Sequence, residues 1–306
     1  MITFILEAFL LAVALDIAFG EPAPAFHPVV WIGGLIGFLD RHAPPGFKRL
    51  YGIAMALFCI SLMAIAGYGI TLVLYQVSPL LSLLVTAYLL KSTFSFSCLW
   101  RVSWDIFKDL REGRLDAARH KLPALVGRDV SKLTTGQMAS CVIESLGESF
   151  VDGILSPLFY FAIFGLPGAL AYRAINTLDS MVGYRDEKHL QTGWASARLD
   201  DLANFIPARL AVILMAVVSG HPARSLNIAI RDGGKPPSMN SGYPMAAFAG
   251  ALGLRLEKQG YYVLGEGLKP CDADDIPGAI RLNRLLSACT VIIIAAVVWL
   301  APLPLI

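Results

Sequence analysis

Residues 154–172 read ILSPLFYFAIFGLPGALAY, nineteen positions without a charge, and residues 176–187 read NTLDSMVGYRDE, with Asn, Asp, Tyr, Arg, Asp and Glu packed together. The first stretch is long enough to cross a bilayer, for which ~20 apolar residues in a helix suffice. It also holds Pro157, Pro167 and the run GLPG, the residues at which helices bend or stop. It can cross once, or dip in and return as a hairpin. The choice decides on which side of a membrane the polar stretch lies.

The rest of the chain points to the same setting. Of 306 residues, 56% are hydrophobic and 16% charged, and mean hydropathy is +0.62; a soluble domain carries about 25% charged residues. Residues 2–19, 51–75, 80–99 and 285–301 read as spans, and 205–219 is a shorter apolar run starting with Pro207 and Arg209. The first span lacks a basic leader and carries Glu7 and Asp16, so it reads as a retained helix. Residues 20–49 are polar and Pro-rich, with Arg41, Lys48 and Arg49, and QVSP at 76–79 is an uncharged turn. The positive-inside rule places basic loops in the cytoplasm, and the N-terminus and the QVSP turn outside. Residues 101–135, 173–204 and 220–284 then share the cytoplasmic face, which makes 154–172 and 205–219 re-entrant, buried or crossing as a pair. No internal repeat or strand pattern stands out. The expected fold is all-α: a polytopic integral membrane protein forming a single membrane-embedded domain over 1–306, with helical cytoplasmic loops carrying the active site.

Several function classes fall away. A net charge of +2 without a Lys/Arg-rich tract excludes nucleic acid as a partner. Cys59, Cys98, Cys141, Cys271 and Cys289 form no C-x-x-C, against a zinc site or disulfide framework. The P-loop, the dinucleotide-binding glycine fingerprint, H-E-x-x-H and G-x-S-x-G are absent; an ATP-using enzyme here would use no familiar nucleotide motif.

Four constellations remain. In ESLGESFVD, Glu144, Glu148 and Asp152 stand at i, i+4, i+8, one helical face on which like charges repel unless a cation intervenes. Mg²⁺ carried by a polyphosphate takes one or two carboxylates; the bland alternative is a solvated helix face. In YRAINTLDSMVGYRDEKHLQTGWASARLDDLANFIPARL, Arg173, Asn176 and Asp179 share a face, Asp200, Asp201 and Asn204 repeat the carboxylate–amide pairing, and Arg185, Arg198 and Arg209 supply forks for phosphate or carboxylate. A solvated loop has no need of so much Trp, Tyr, Phe, Met and Leu among its charges. SMNSGYPMAAFAGALG, 238–253, is a turn opening a small-residue helix. DIAFGEPAPAFHP places Asp16, Glu21 and His27 near the end of the first span.

In this order the blocks LDIAFGEPAPAFHPVVWIG, ESLGESFVDGILSPLFYFAIFGLPGALAYRAINTLDSMVGYR, GWASARLDDLANFIPARL and NSGYPMAAFAGALGLRLEKQGYYVLG resemble the cobalamin-biosynthesis family called CobD or CbiB, the adenosylcobinamide-phosphate synthases. The chain departs where the family often reads Gly-Asp-Pro against Gly20-Glu21-Pro22, and Trp against Tyr243; both changes keep chemical type. The resemblance implies a multi-pass protein of the cell membrane with its active site facing the cytoplasm. Its implied reaction joins adenosylcobyric acid, a corrinoid, to (R)-1-amino-2-propanol or its O-phosphate, with ATP and Mg²⁺ driving amide formation. Substrates, ATP, the lipid bilayer and other corrinoid-pathway enzymes are the implied partners. Asp179, Arg185, Arg198 and Asp201 are then expected at the reacting groups. Arg173, Asn176, Asn204, Arg209, Asn240 and Tyr243 are expected to hold the nucleotide, and Glu144, Glu148 and Asp152 the metal. A transporter with intramembrane carboxylates and broken helices is the rival reading; the missing inverted repeat and the long polar blocks weigh against it.

Overall fold

The computed structural model describes residues 2–184 and 186–300. In chain order its helices are α1 (Ile2–Phe19), α2 (Pro28–Arg41), α3 (Lys48–Val77), α4 (Pro79–Lys91), α5 (Ser97–Arg111), α6 (Leu115–Lys121), α7 (Thr135–Phe150), α8 (Ser156–Val182), α9 (Trp194–Val218), α10 (Pro222–Asp232) and α11 (Gly242–Leu252). A π-helical turn, Val151–Leu155, joins α7 to α8. Strands β1 (Leu254–Lys258), β2 (Tyr262–Leu264) and β3 (Lys269–Pro270) precede α12 (Ile276–Leu300). Four helical stretches among the described residues are long and apolar enough to cross a membrane: Lys48–Val77, Thr135–Val182, Trp194–Val218 and Ala273–Leu300.

The chain forms two compact units, one of residues up to Ser95, Ser156–Ala203 and the chain from Val291 onward, the other of Phe96–Leu155 and Asn204–Thr290. In the first unit, α8 shows the shape of residues 154–172. Gly165 has φ +65° and ψ −156°, a region open essentially only to glycine, and the helix reverses there. A Cβ at Gly168 would lie 2.5 Å from the Tyr160 carbonyl oxygen, eight positions back and about 12 Å away in a straight helix. The apolar run therefore turns back on itself. Its second arm packs on α3, where a Cβ at Gly67 would meet Leu170 at 2.6 Å, and on α2, where Gly33 and Gly37 face Met181. Ile32, Ile36, Met55, Cys59, Leu178 and Val182 form the core between α2, α3 and α8.

Two local readings change. Residues 20–49 hold a helix, not only a polar linker: His27 Nδ1 accepts from Val29 N at 3.2 Å and Pro28 fills the first helical position, a strong start. The third span is short. α4 ends at Lys91, because that side chain turns into a buried ion cluster with Asp16 at 3.2 Å and Glu21 at 2.9 Å. Lys91 is 3% and Asp16 0% exposed. His27 donates through Nε2 to Glu21 at 2.9 Å, since its other nitrogen is the acceptor that caps α2. Burial drives the Glu21 carboxyl up, but His27 and Lys91, each at 2.9 Å, outweigh it and hold it at about 2.

The second unit carries strands that the periodicity does not reveal. β1 pairs antiparallel with β2, Leu256 opposite Leu264, and parallel with β3, Leu254 opposite Lys269. Asp232, wholly buried, ties α10 to this sheet: it accepts from Arg231 at 2.8 and 2.7 Å, Lys235 at 2.8 Å and Gly265 N at 2.7 Å. Burial opposes the charge, yet these donors hold its carboxyl at about 2. α10 and α11 touch closely because a Cβ at Gly250 would fall 2.8 Å from the Arg224 oxygen. Asn283 links α5 to α7, accepting from Trp100 Nε1 and donating to Leu146 O, both at 2.8 Å.

Candidate functional site

α7 starts on a capping box, Thr134 and Gln137 exchanging side-chain and backbone bonds. That fixes the phase of the helix and puts Ser140, Glu144 and Glu148 on one face. The Ser140 hydroxyl donates to Glu144 Oε1 at 2.8 Å and accepts from Glu257 N of β1 at 2.8 Å. Tyr262 of β2 donates to Glu144 Oε2 at 3.0 Å. Arg128, from the loop before α7, stands 3.5 Å from Glu144 Oε1 and 2.8 Å from Cys141 Sγ. Burial first, then the carboxylate beside it, push the Tyr262 phenol far above the tyrosine range, so it stays a donor. Burial works against the Arg128 charge, but Glu144 and Cys141 raise it above the usual arginine value. Glu144 is thus buried with both oxygens engaged.

Glu148, one turn on, is only partly buried. The Ser241 hydroxyl stands beside it, and Lys258 and Arg128 are the cations acting on it. Asp152 lies in the π turn, where the extra residue per turn shifts it from the row that Glu144 and Glu148 share. Among the described residues no group of three or more His, Cys, Asp or Glu side chains is placed to hold a metal ion.

The same loop reaches α9. Asn240, next to Ser241, accepts from Arg209 Nη1. The Arg209 guanidinium lies 4.1 Å from the Phe205 ring and 4.7 Å from the Tyr243 ring. The loop is pinned: Ser238 Oγ accepts from the amides of Asn240 and Ser241 at 3.3 and 3.2 Å, and a Cβ at Gly242 would strike the Gly233 oxygen at 2.1 Å. Asn204, a turn before Arg209, is buried. Glu144, Glu148, Asp152, Asn204, Arg209, Asn240 and Tyr243 all belong to this second unit.

Arg173, Asn176, Asp179, Arg198 and Asp201 belong to the first. Arg173 donates to Asn176 Oδ1 at 3.2 Å. Asp179 lies within electrostatic reach of Asp201, and Asp201 pairs with the exposed Arg198 at 3.2 Å. The Asp179 carboxylate folds over Gly183, where a Cβ would come within 2.0 Å of Oδ1. Gly193 meets the Val182 carbonyl just as closely, so both glycines are sterically required. Arg185 lies outside the described residues.

The model of the family described as CobD/Cbib protein matches residues 9–283. The chain belongs to the CobD/Cbib family. A probable cobalamin biosynthesis protein CobD of Methanothrix thermoacetophila is 41% identical over 297 residues, 91% of this chain and 92% of the relative. The cobalamin biosynthesis protein CobD of Dehalococcoides mccartyi is 38% identical over 304 residues, covering 97% and 98%. That of Geobacter metallireducens is 40% identical over 302 residues, covering 94% and 95%. No solved structure matches. In this CobD/Cbib chain, Arg128, Tyr262, Ser140, Ser241 and Phe205 join the predicted residues only through the fold. Arg128 stands in a Gly-Arg-Asp loop and Tyr262 in a Gly-Tyr-Tyr turn, which mark them locally as turn residues and nothing more.

Proposed function

We propose that this chain acts in cobalamin biosynthesis as an adenosylcobinamide-phosphate synthase, joining adenosylcobyric acid to (R)-1-amino-2-propanol or its O-phosphate with ATP and Mg²⁺. Family membership and the relatives' names support the pathway. The observation that carries the chemistry is one loop between opposite charges, Asn240 accepting from the Arg209 guanidinium and its neighbour Ser241 standing beside the Glu148 carboxylate.

A carboxylate and an amine do not condense unaided in water. The propionate carboxylate must first be activated: it attacks a phosphorus of ATP, breaking a phosphoanhydride bond to give an acyl phosphate, whose phosphate the amine then displaces. Such a step is helped by preorganised charge in a partly dry site. Mg²⁺ arriving with a polyphosphate keeps several waters and takes one or two carboxylates, so a three-carboxylate cage is not required. Glu148 suits that role, being partly accessible with Lys258 and Arg128 as the cations acting on it. Glu144 suits the role of support, holding Arg128 and the sheet in register. In this reading the loops carrying the site face the cytoplasm, where ATP is available, and the protein sits multi-pass in the cell membrane.

The test is reconstitution. Purified protein in nanodiscs is given adenosylcobyric acid, the amino alcohol or its phosphate, and Mg–ATP. Nucleotide cleavage that needs both other substrates supports the reading; corrinoid or amine movement across a sealed vesicle without cleavage supports a transporter instead.

A further inference from the structure

Arg209 is the sixteenth of twenty-five residues in an apolar helix long enough to span a membrane. Charges at such positions are rare and expensive, and are kept for a task. Among the described residues no carboxylate lies within ion-pair distance of it; its partners are neutral. The Phe205 and Tyr243 rings hold the guanidinium at 4.1 and 4.7 Å. Nη1 is used, donating to Phe205 O at 3.2 Å and to Asn240 Oδ1. Nε and Nη2 have no hydrogen-bond partner among the described residues. This edge is the two-pronged one that matches two oxygens of a phosphate.

We propose that the Nε–Nη2 edge of Arg209, clamped by Phe205, Tyr243 and Asn240, is a phosphate-oxyanion site. Aromatic clamping leaves the charge undiminished while removing the rotamer freedom that binding would otherwise cost. The start of α11 lies beside it, since Tyr243 is in its first turn, and its macrodipole has the sign that favours an anion. Phosphate fits better than a bare carboxylate. Asn240 and Ser241 are consecutive, their Cα atoms ~3.8 Å apart, and Ser241 stands beside Glu148, so one loop sets a cation and a carboxylate near each other. A phosphate carrying a divalent cation satisfies both charges, whereas a carboxylate alone is repelled by one. The inference rests on the function proposed above and names the residue that receives the nucleotide's phosphate.

A phospholipid headgroup carries the same oxyanion, and the experiment separates the two. Wild type, Arg209→Lys and Tyr243→Leu are purified in dodecyl maltoside, which has no phosphate, and Mg–ATP binding is measured by calorimetry. Arg209→Lys keeps the charge and loses the fork; Tyr243→Leu keeps the fork and loses one clamp face. Both are expected to weaken binding, the lysine variant by about tenfold or more, with melting temperatures near wild type. Displacement of Mg–ATP by added phosphatidylglycerol, itself lost in Arg209→Lys, assigns the site to a headgroup; no displacement assigns it to the nucleotide. Equal Mg–ATP and phosphatidylglycerol binding by wild type and a folded lysine variant overturns the inference. Mg–ATP binding that depends on Arg209 in a protein that never joins corrinoid to amine overturns the function and leaves this site standing.

Discussion

Tyr160 stacks on Tyr172 with ring centroids 5.4 Å apart and planes 12° from parallel. In a straight helix the twelve positions between them would set them about 18 Å apart. The stack is therefore the signature of the reversal at Gly165, which returns the polar stretch after residue 172 toward the level at which α8 began.

Gly165→Ala tests that reversal. Alanine cannot adopt φ +65° and ψ −156° without strain of ~1–3 kcal/mol. A melting temperature lowered by several degrees in detergent is expected. An unchanged melting temperature would mean that the helix does not turn there.

Glu144 and Glu148 should separate. Glu144→Gln presents an amide to the donors Ser140, Tyr262 and Arg128 and should destabilise by ~1–3 kcal/mol, with the Mg²⁺ requirement of the surviving protein unchanged. Glu148→Gln should leave melting nearly unchanged and raise the Mg²⁺ requirement or abolish turnover. The opposite pattern in Mg²⁺ titrations would exchange their roles.

What the sequence disclosed follows from range. The uncharged runs disclosed α3 and much of α12, and Ser78 breaks the chain where QVSP sits, because hydropathy and turn chemistry are local. Residues 154–172 were legible as two alternatives, since Pro167 and Gly165 permit a reversal but only packing on Gly67 and Gly168 selects it. The sheet was not legible: its strands are two to five residues long and are held by Asp232 and Ser140 from distant helices. The ion cluster that stops α4 was half legible, with Asp16, Glu21 and His27 visible as a group and Lys91 not. In the candidate site the Glu144–Glu148 face was legible from spacing, while Tyr262 and Arg128, which distinguish the two carboxylates, come from positions more than a dozen residues away.

Acid should loosen the protein in a definite window. The carboxyls of Glu21 and Asp232 sit at about 2 against 4.5 and 3.8 unfolded. A depressed folded value means stability that is complete above the unfolded value and is lost as pH falls toward the folded one. Unfolding free energy should therefore decline from about pH 4.5 to about pH 2. Asp232→Asn should cost about 3 kcal/mol at neutral pH and flatten the part of the decline below pH 3.8. Denaturant titrations across this range would contradict the assignment if the variant kept the wild-type slope.

Asp179→Asn should spare folding and damage turnover. The Asp179 carboxylate faces Asp201 and folds over Gly183, so the amide fits with little loss of packing. A charge acting on the reaction is worth about 10²–10³ in kcat, whereas an exposed ion pair is worth under ~1 kcal/mol of stability and nothing in rate. Amide formation reduced at least about a hundredfold at unchanged melting temperature is expected. A near wild-type rate would make this stretch a structural one.

The most direct measurement is the mass of the corrinoid after incubation of purified protein with adenosylcobyric acid, aminopropanol O-phosphate and Mg–ATP. The account predicts a corrinoid heavier by the amine less one water, formed only when ATP and Mg²⁺ are both present. Corrinoid recovered at its starting mass, from protein that is folded and binds Mg–ATP, would contradict it.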